Sequence, residues 1–90
     1  MNSHITAYNK GLMTPNHPNF ELTQEAVSAD DALQALYDYE ASLAEERCEK
    51  TGAYVDNQQK IDDLDPIIQR AIARHMRAQR RLQKAINNAA

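Results

Sequence analysis

The stretch IDDLDPIIQRAIARHMRAQRRLQKAI, residues 61–86, decides how this chain folds. Its first question is what Asp65-Pro66 does. Aspartate is a good N-cap, a residue before proline is disfavoured in helix, and proline suits a first helical position. The pair therefore predicts a joint, with a new helix running from 66 to about 87. Within that helix Leu64, Ile68, Ala71, His75, Ala78, Leu82, Ala85 and Ala89 form a seam in alternating steps of four and three residues, flanked by Ile67, Ile72 and Ile86. Ala71, Ala78 and Ala85 recur every seven residues. Small side chains at a repeated seam position let two helix backbones approach closely, so the pattern points to helix-on-helix packing of a coiled-coil kind.

The other side of the same helix is basic. Arg70, Arg74, Arg77, Arg81 and Lys84 run along its back, with Arg80 beside them. Three readings compete for these six side chains: a solvated face, a contact with an acidic protein surface (including this chain's own acidic helix or its dimer mate), and a phosphate contact with nucleic acid. They are the candidate partner-binding residues. No zinc-finger spacing, aromatic RNA-binding motif or helix-turn-helix accompanies them.

Upstream, SADD at 28–31 fits a capping box with Ser28 as N-cap, and Val27 and Ala32 fit a hydrophobic staple. Leu36 and Leu43 begin one apolar row; Leu33, Glu40, Arg47, Tyr54 and Ile61 continue a second at seven-residue spacing. Asp31, Gln34, Asp38, Glu45 and Glu49 occupy the opposite face. Because the phase survives Thr51-Gly52, the pattern predicts one helix over about 28–63, with Gly52 a weak point of about 1 kcal/mol. The alternative is a helix capped at Gly52 and followed by a second. Residues 1–21, with Gly11, Pro15 and Pro18 and no sustained period, are expected to form an irregular N-terminal arm. Residues 22–90 then make up the helical domain.

Charge divides along the chain. The 90 residues carry a net −3, yet every one of the 13 acids lies before Pro66, and residues 66–90 hold six cations and no acid. With one Phe, four Tyr and no Trp, a monomeric core is thin, and chains of this kind gain burial from a copy of themselves or a partner.

Chemistry has few footholds. His4, His17 and His75 form no metal-binding spacing with each other or with Cys48. Asp62, Asp63 and Asp65 lack the glycine and terminal glutamate of a calcium loop. There is no phosphate-binding glycine loop and no nucleophile spaced from a base. A lone cysteine excludes an internal disulfide. The apolar side of the basic helix, rich in alanine and without Trp or Phe, would hold a membrane weakly. Glu40, Arg47, His75 and Gln79 fall on or beside apolar faces and are expected either to be partly exposed or to pair with one another across the helix interface and fix register.

The expectation is a mainly α protein: a long helical hairpin of an acidic helix (about 28–63) and a basic helix (about 66–87), antiparallel and dimeric, with a kinked continuous rod as the alternative. Functionally it is expected to be a non-enzymatic cytoplasmic interaction protein. It would use no cofactor, metal or small molecule, bind a protein partner as regulator or inhibitor, and have nucleic acid as the alternative partner.

Overall fold

The structure, a computed structural model, describes residues 3–88. Three helices follow in order: α1 (Ser3–Asn9), α2 (Phe20–Glu45) and α3 (Gln58–Asn88). The two long ones pack on each other as an antiparallel hairpin in a molecule 59 × 25 × 19 Å. The direction follows from the contacts: Ala26 and Ala29 meet Ala78 and Leu82 at one end, and Leu33 and Leu43 meet Leu64 and Ile68 at the other.

The mainly helical class and the antiparallel packing agree with the sequence, but the boundaries do not. The expected joint at Asp65-Pro66 is absent: α3 runs through Pro66, its ninth residue. Proline in a helix interior costs about 3 kcal/mol, since it removes one N–H and its ring crowds the carbonyl four residues back. The seam on either side outweighs this. Leu64 and Ile68 are both buried against Leu33 and Leu43, and each such side chain contributes about 1.5–3 kcal/mol when buried. Breaking the helix at Pro66 would sacrifice that shared register.

The turn lies instead at residues 46–57, so the acidic helix is 20–45 rather than 28–63 and the basic one 58–88 rather than 66–87. The loop is a miniature antiparallel ladder. The Cys48 amide donates to the Ala53 carbonyl (2.8 Å), the Val55 amide to the Glu46 carbonyl (2.9 Å), and Arg47 and Tyr54 form a bridge pair between them. Gly52 closes the tip at φ 70°, a left-handed conformation that glycine adopts without the penalty a Cβ would bring. Gly52 therefore divides the helices as the alternative reading held, but from a loop, seven residues beyond the last turn of α2.

Buried Asn57 ties the two helices together here. Its side-chain amide donates to the Leu43 carbonyl (2.8 Å) at the end of α2, and its own carbonyl accepts from Ile61 at the start of α3 (2.9 Å). The Asp56 carboxylate accepts from the Gln58 amide (3.1 Å), satisfying one of the N–H groups left over at a helix start.

The arm is also more ordered than an irregular segment. Residues 3–9 are helical, and Gly11 at φ 72° ends them: the Leu12 amide bonds the Ala7 carbonyl (2.8 Å) and the Gly11 amide bonds that of Tyr8 (3.0 Å), the two bonds of a Schellman motif. Ile5 packs on the upper core. Ser28 is not an N-cap, since α2 already begins at Phe20, just after Pro18-Asn19. Ala89 of the predicted seam lies outside the described residues.

Replacing Pro66 with Ala restores an N–H at a helical position, so Pro66→Ala is expected to raise unfolding stability by about 1–3 kcal/mol. Urea denaturation at pH 7 checks this; a loss of stability would mean that the proline is positively required for the helix path.

Candidate interaction surface

The six cations singled out by sequence all lie on α3, and the structure separates them by role. At 100° per residue, Arg70, Arg77, Arg81 and Lys84 fall within about 60° of helix arc and span about 21 Å of length. All four are exposed, as is Arg80 beside them. Among the described residues, Arg77, Arg80, Arg81 and Lys84 make no hydrogen bond or ion pair, and Arg70 reaches back only to the Pro66 carbonyl (3.3 Å).

Arg74 differs. It sits at the flank of the row, where α3 turns toward α2, and grips Glu25 in a two-pronged contact, Nε to Oε1 at 2.8 Å and Nη2 to Oε2 at 3.2 Å. Its Nη2 also lies 3.3 Å from the Ser28 hydroxyl. The hydrogen bond from Arg74 holds the Glu25 carboxyl below the usual glutamate range, and the fields of Arg74 and Arg81 add to the effect. Reciprocally, the Glu25 carboxylate raises the Arg74 guanidinium. Both side chains are more than a third exposed, so solvent screens the pair and its net worth is small. Sequence reading did not pair them because Glu25 precedes the helix start assigned at Ser28; counting α2 from Phe20 places Glu25 and Ser28 on one face, next to Arg74.

The four polar side chains expected on or beside the apolar faces do not pair with one another: Glu40 and Gln79 are half-buried. His75 Nδ1 is occluded without a hydrogen bond, and the carboxylate facing it is Asp30, 3.8 Å away, rather than Glu40. Arg47 lies in the loop, where its guanidinium stacks 4.2 Å above the Tyr54 ring and donates to the Tyr54 hydroxyl (2.7 Å) and the Gly52 carbonyl (3.3 Å).

Two other arrangements were not legible from spacing. His4 and His17 meet edge to face at 5.3 Å, and Asn19 donates its backbone N–H to His17 Nδ1 (3.0 Å). Cys48 stands exposed in the loop with its thiol pushed below the ordinary range, first by the Thr51 hydroxyl and then by the Thr51 and Lys50 backbone N–H groups. An open groove of about 700 Å³ lies between Tyr8 and Asn9 and the outer side of α2, bordered by Glu21, Glu25 and Asp31.

Among the described residues no group of three or more His, Cys, Asp or Glu side chains could hold a metal ion, and no helix is long and apolar enough to cross a membrane. Comparison with family models, curated proteins and solved structures finds no match for the chain. Its own side chains carry the functional reading.

Two titrations check the electrostatics. A lowered folded-state value for Glu25 means that the pair's stabilisation is fully present above the ordinary glutamate pKa and disappears as pH falls through the lowered value. The small stability gap between the native chain and Glu25→Gln should therefore be measurable by urea unfolding at pH 7 and absent at about pH 2; a gap independent of pH would assign it to packing. Likewise Thr51→Ala should raise the Cys48 thiol pKa, moving the pH profile of iodoacetamide alkylation to higher pH. An unmoved profile would remove Thr51 as its cause.

Proposed function

We propose that this protein is a non-catalytic interaction module of the cytoplasm that acts as a regulator or inhibitor. It binds an acidic surface on a larger protein through the outward face of α3. The observation that supports this is the division among the cations: Arg74 alone bonds α2, while Arg70, Arg77, Arg80, Arg81 and Lys84 stay exposed, Arg81 near enough to Glu25 for its charge to be felt there. A face of this length and charge fits a matching strip of carboxylates, and electrostatic complementarity of this kind sets partner choice and association rate. The hairpin brings its own framework to the contact, so little ordering cost falls on binding. In this reading it self-associates by coiled-coil packing, and it requires no cofactor, metal, small molecule or membrane.

A second reading, a nucleic-acid-binding regulator, draws on the same unpaired cations. What disfavours it is the neighbour helix. α2 carries Glu21, Glu25, Asp30, Asp31, Asp38, Glu40 and Glu45 and no Lys or Arg. A duplex wide enough to pass the basic row would feel that acidic band alongside.

Fluorescence anisotropy separates the two, using labelled polyglutamate and labelled single- and double-stranded DNA at about 50 and 200 mM salt. The protein-partner reading expects polyglutamate to bind at low salt and Arg77→Glu/Arg81→Glu to abolish that binding while helicity stays unchanged. Duplex binding with a log–log salt slope near −4.5, about 0.9 for each of five free cations, would replace it with the nucleic-acid reading. Binding to none of the probes at the lower salt would remove the basic face from both.

A further inference from the structure

The hairpin is two helices wide, so it has two outer edges, one along α2 and one along α3. Helical arc places charged side chains on both. On α2 the buried Ala26, Ala29, Leu33 and Leu43 mark the inner arc, and Asp31, Asp38 and Glu45 lie about 145–175° from its centre. On α3 the buried Leu64, Ile68, Ala78 and Leu82 mark it. Arg70, Arg77 and Lys84 lie about 120–160° from that centre, whereas Arg74 lies only about 80° from it.

The two edges match. Each carries like charges at seven-residue spacing, from 31 to 45 on α2 and from 70 to 84 on α3, which is about 21 Å of helix in both cases. All six side chains are exposed. Among the described residues Asp31, Glu45, Arg77 and Lys84 form no hydrogen bond or ion pair, Asp38 accepts only from Gln34 (3.2 Å), and Arg70 reaches only its own helix. Small exposed residues stand among the charges, Ala35 and Ser42 on α2 and Ala73 on α3, which lets a neighbouring helix lie close.

We propose that the acidic edge of α2 docks on the basic edge of α3 of a second copy of this chain, head to tail. The charges on the docking edges themselves select this occupant, since α2 has no Lys or Arg and α3 beyond Asp65 has no acid. A two-fold contact through either edge would lay α2 on α2 or α3 on α3 and set like charges together. The head-to-tail contact sets acid on base. Opposed helix dipoles favour the antiparallel sense. One register then places Glu45 opposite Arg70 of the neighbouring copy, Asp38 opposite its Arg77 and Asp31 opposite its Lys84, while Asp62 and Asp63 of that copy pass beyond the end of α2. Each contact uses one edge per copy and leaves the other free, so assembly continues past a dimer, as an open chain or as a ring where the rotation closes. Exposed ion pairs are individually weak and screened, so the assembly is loose and salt-labile. It also makes the chain a competitor for its own α3 row. This inference shares with the functional reading only the availability of that row, and the contact is distinct from the coiled-coil packing named there.

Sedimentation equilibrium of the full chain over a concentration series, at about 20 and 300 mM salt, tests the contact. The native chain is expected to exceed dimer mass at the lower salt and to associate about 10-fold or more weakly at the higher. Asp31→Lys/Asp38→Lys and Arg77→Glu/Lys84→Glu are each expected to weaken association by about 10-fold or more, with helicity retained. The first pair brings the net charge nearer zero, so overall repulsion does not account for its loss. The chain carrying all four substitutions keeps the native net charge and is expected to regain association. Labelled polyglutamate separates this contact from the functional reading, because Asp31→Lys/Asp38→Lys leaves the α3 row intact and is expected still to bind it. A monomer at every concentration at the lower salt overturns the proposal, whatever polyglutamate does. Association that neither pair weakens assigns it to apolar packing and overturns the edge contact. Failure of the fourfold variant to regain association overturns the pairing of the two edges.

Discussion

Where α2 crosses α3, Ala26, Ala29 and Ala78 are all but sealed from solvent, and the close backbone approach they permit governs the packing around them. Alanine buries little area of its own, so this end of the seam gains cohesion from contact density and from Leu82, which is fully buried among the alanines. The lower end is built differently, with the larger side chains of Leu33, Leu43, Leu64 and Ile68 forming the contact. Alanines meeting at one end and large aliphatic side chains at the other leave little freedom in register. That register sets which polar groups face each other: Arg74 with Glu25 and Ser28, and His75 with Asp30.

Most of the seam was readable from spacing. Leu64, Ile68, Ala78 and Leu82 are buried and Ala71, His75 and Ala85 half-buried, as their alternating steps imply. The turn was not, because two local signals ranked in the wrong order. Asp65-Pro66 satisfies every local rule for a helix start, yet the seam runs through it without a change of phase, and tertiary burial outweighed the proline. The true start, Asp56-Asn57 ahead of Ile61 and Leu64, carries an equally good capping signal. It was obscured by the row Leu33, Glu40, Arg47, Tyr54 and Ile61, whose seven-residue spacing mimics a continuous helix. Arg47 and Tyr54 keep that spacing for another reason: they are opposite members of a bridge pair. The basic row was legible as a row, but its division into one cation bonded to α2 and five exposed ones depended on the position of Glu25, and so on where α2 begins.

Electrostatics and topology support each other. Asp62, Asp63 and Asp65 lie in the second turn of α3, and all its cations except Lys60 lie beyond them, a polarity of the sense that a helix dipole favours. The antiparallel arrangement then sets the positive end of each long helix dipole beside the negative end of the other. The hairpin is in this sense two opposed dipoles joined by a loop, with side-chain charge that offsets the dipole along α3.

The 46–57 loop also has a kinetic consequence. Its ends are few residues apart, so the first contacts between α2 and α3, Asn57 with Leu43 and Leu43 with Leu64, close only short stretches of chain and cost little loop entropy. Each further layer toward Ala29–Ala78 and then Leu22–Ile86 extends an arrangement already begun, as a zipper does. Such topologies have low contact order and fold on the microsecond-to-millisecond scale. Unfolding runs the other way, beginning at the end where a short α1 rests on the helices and finishing at the loop.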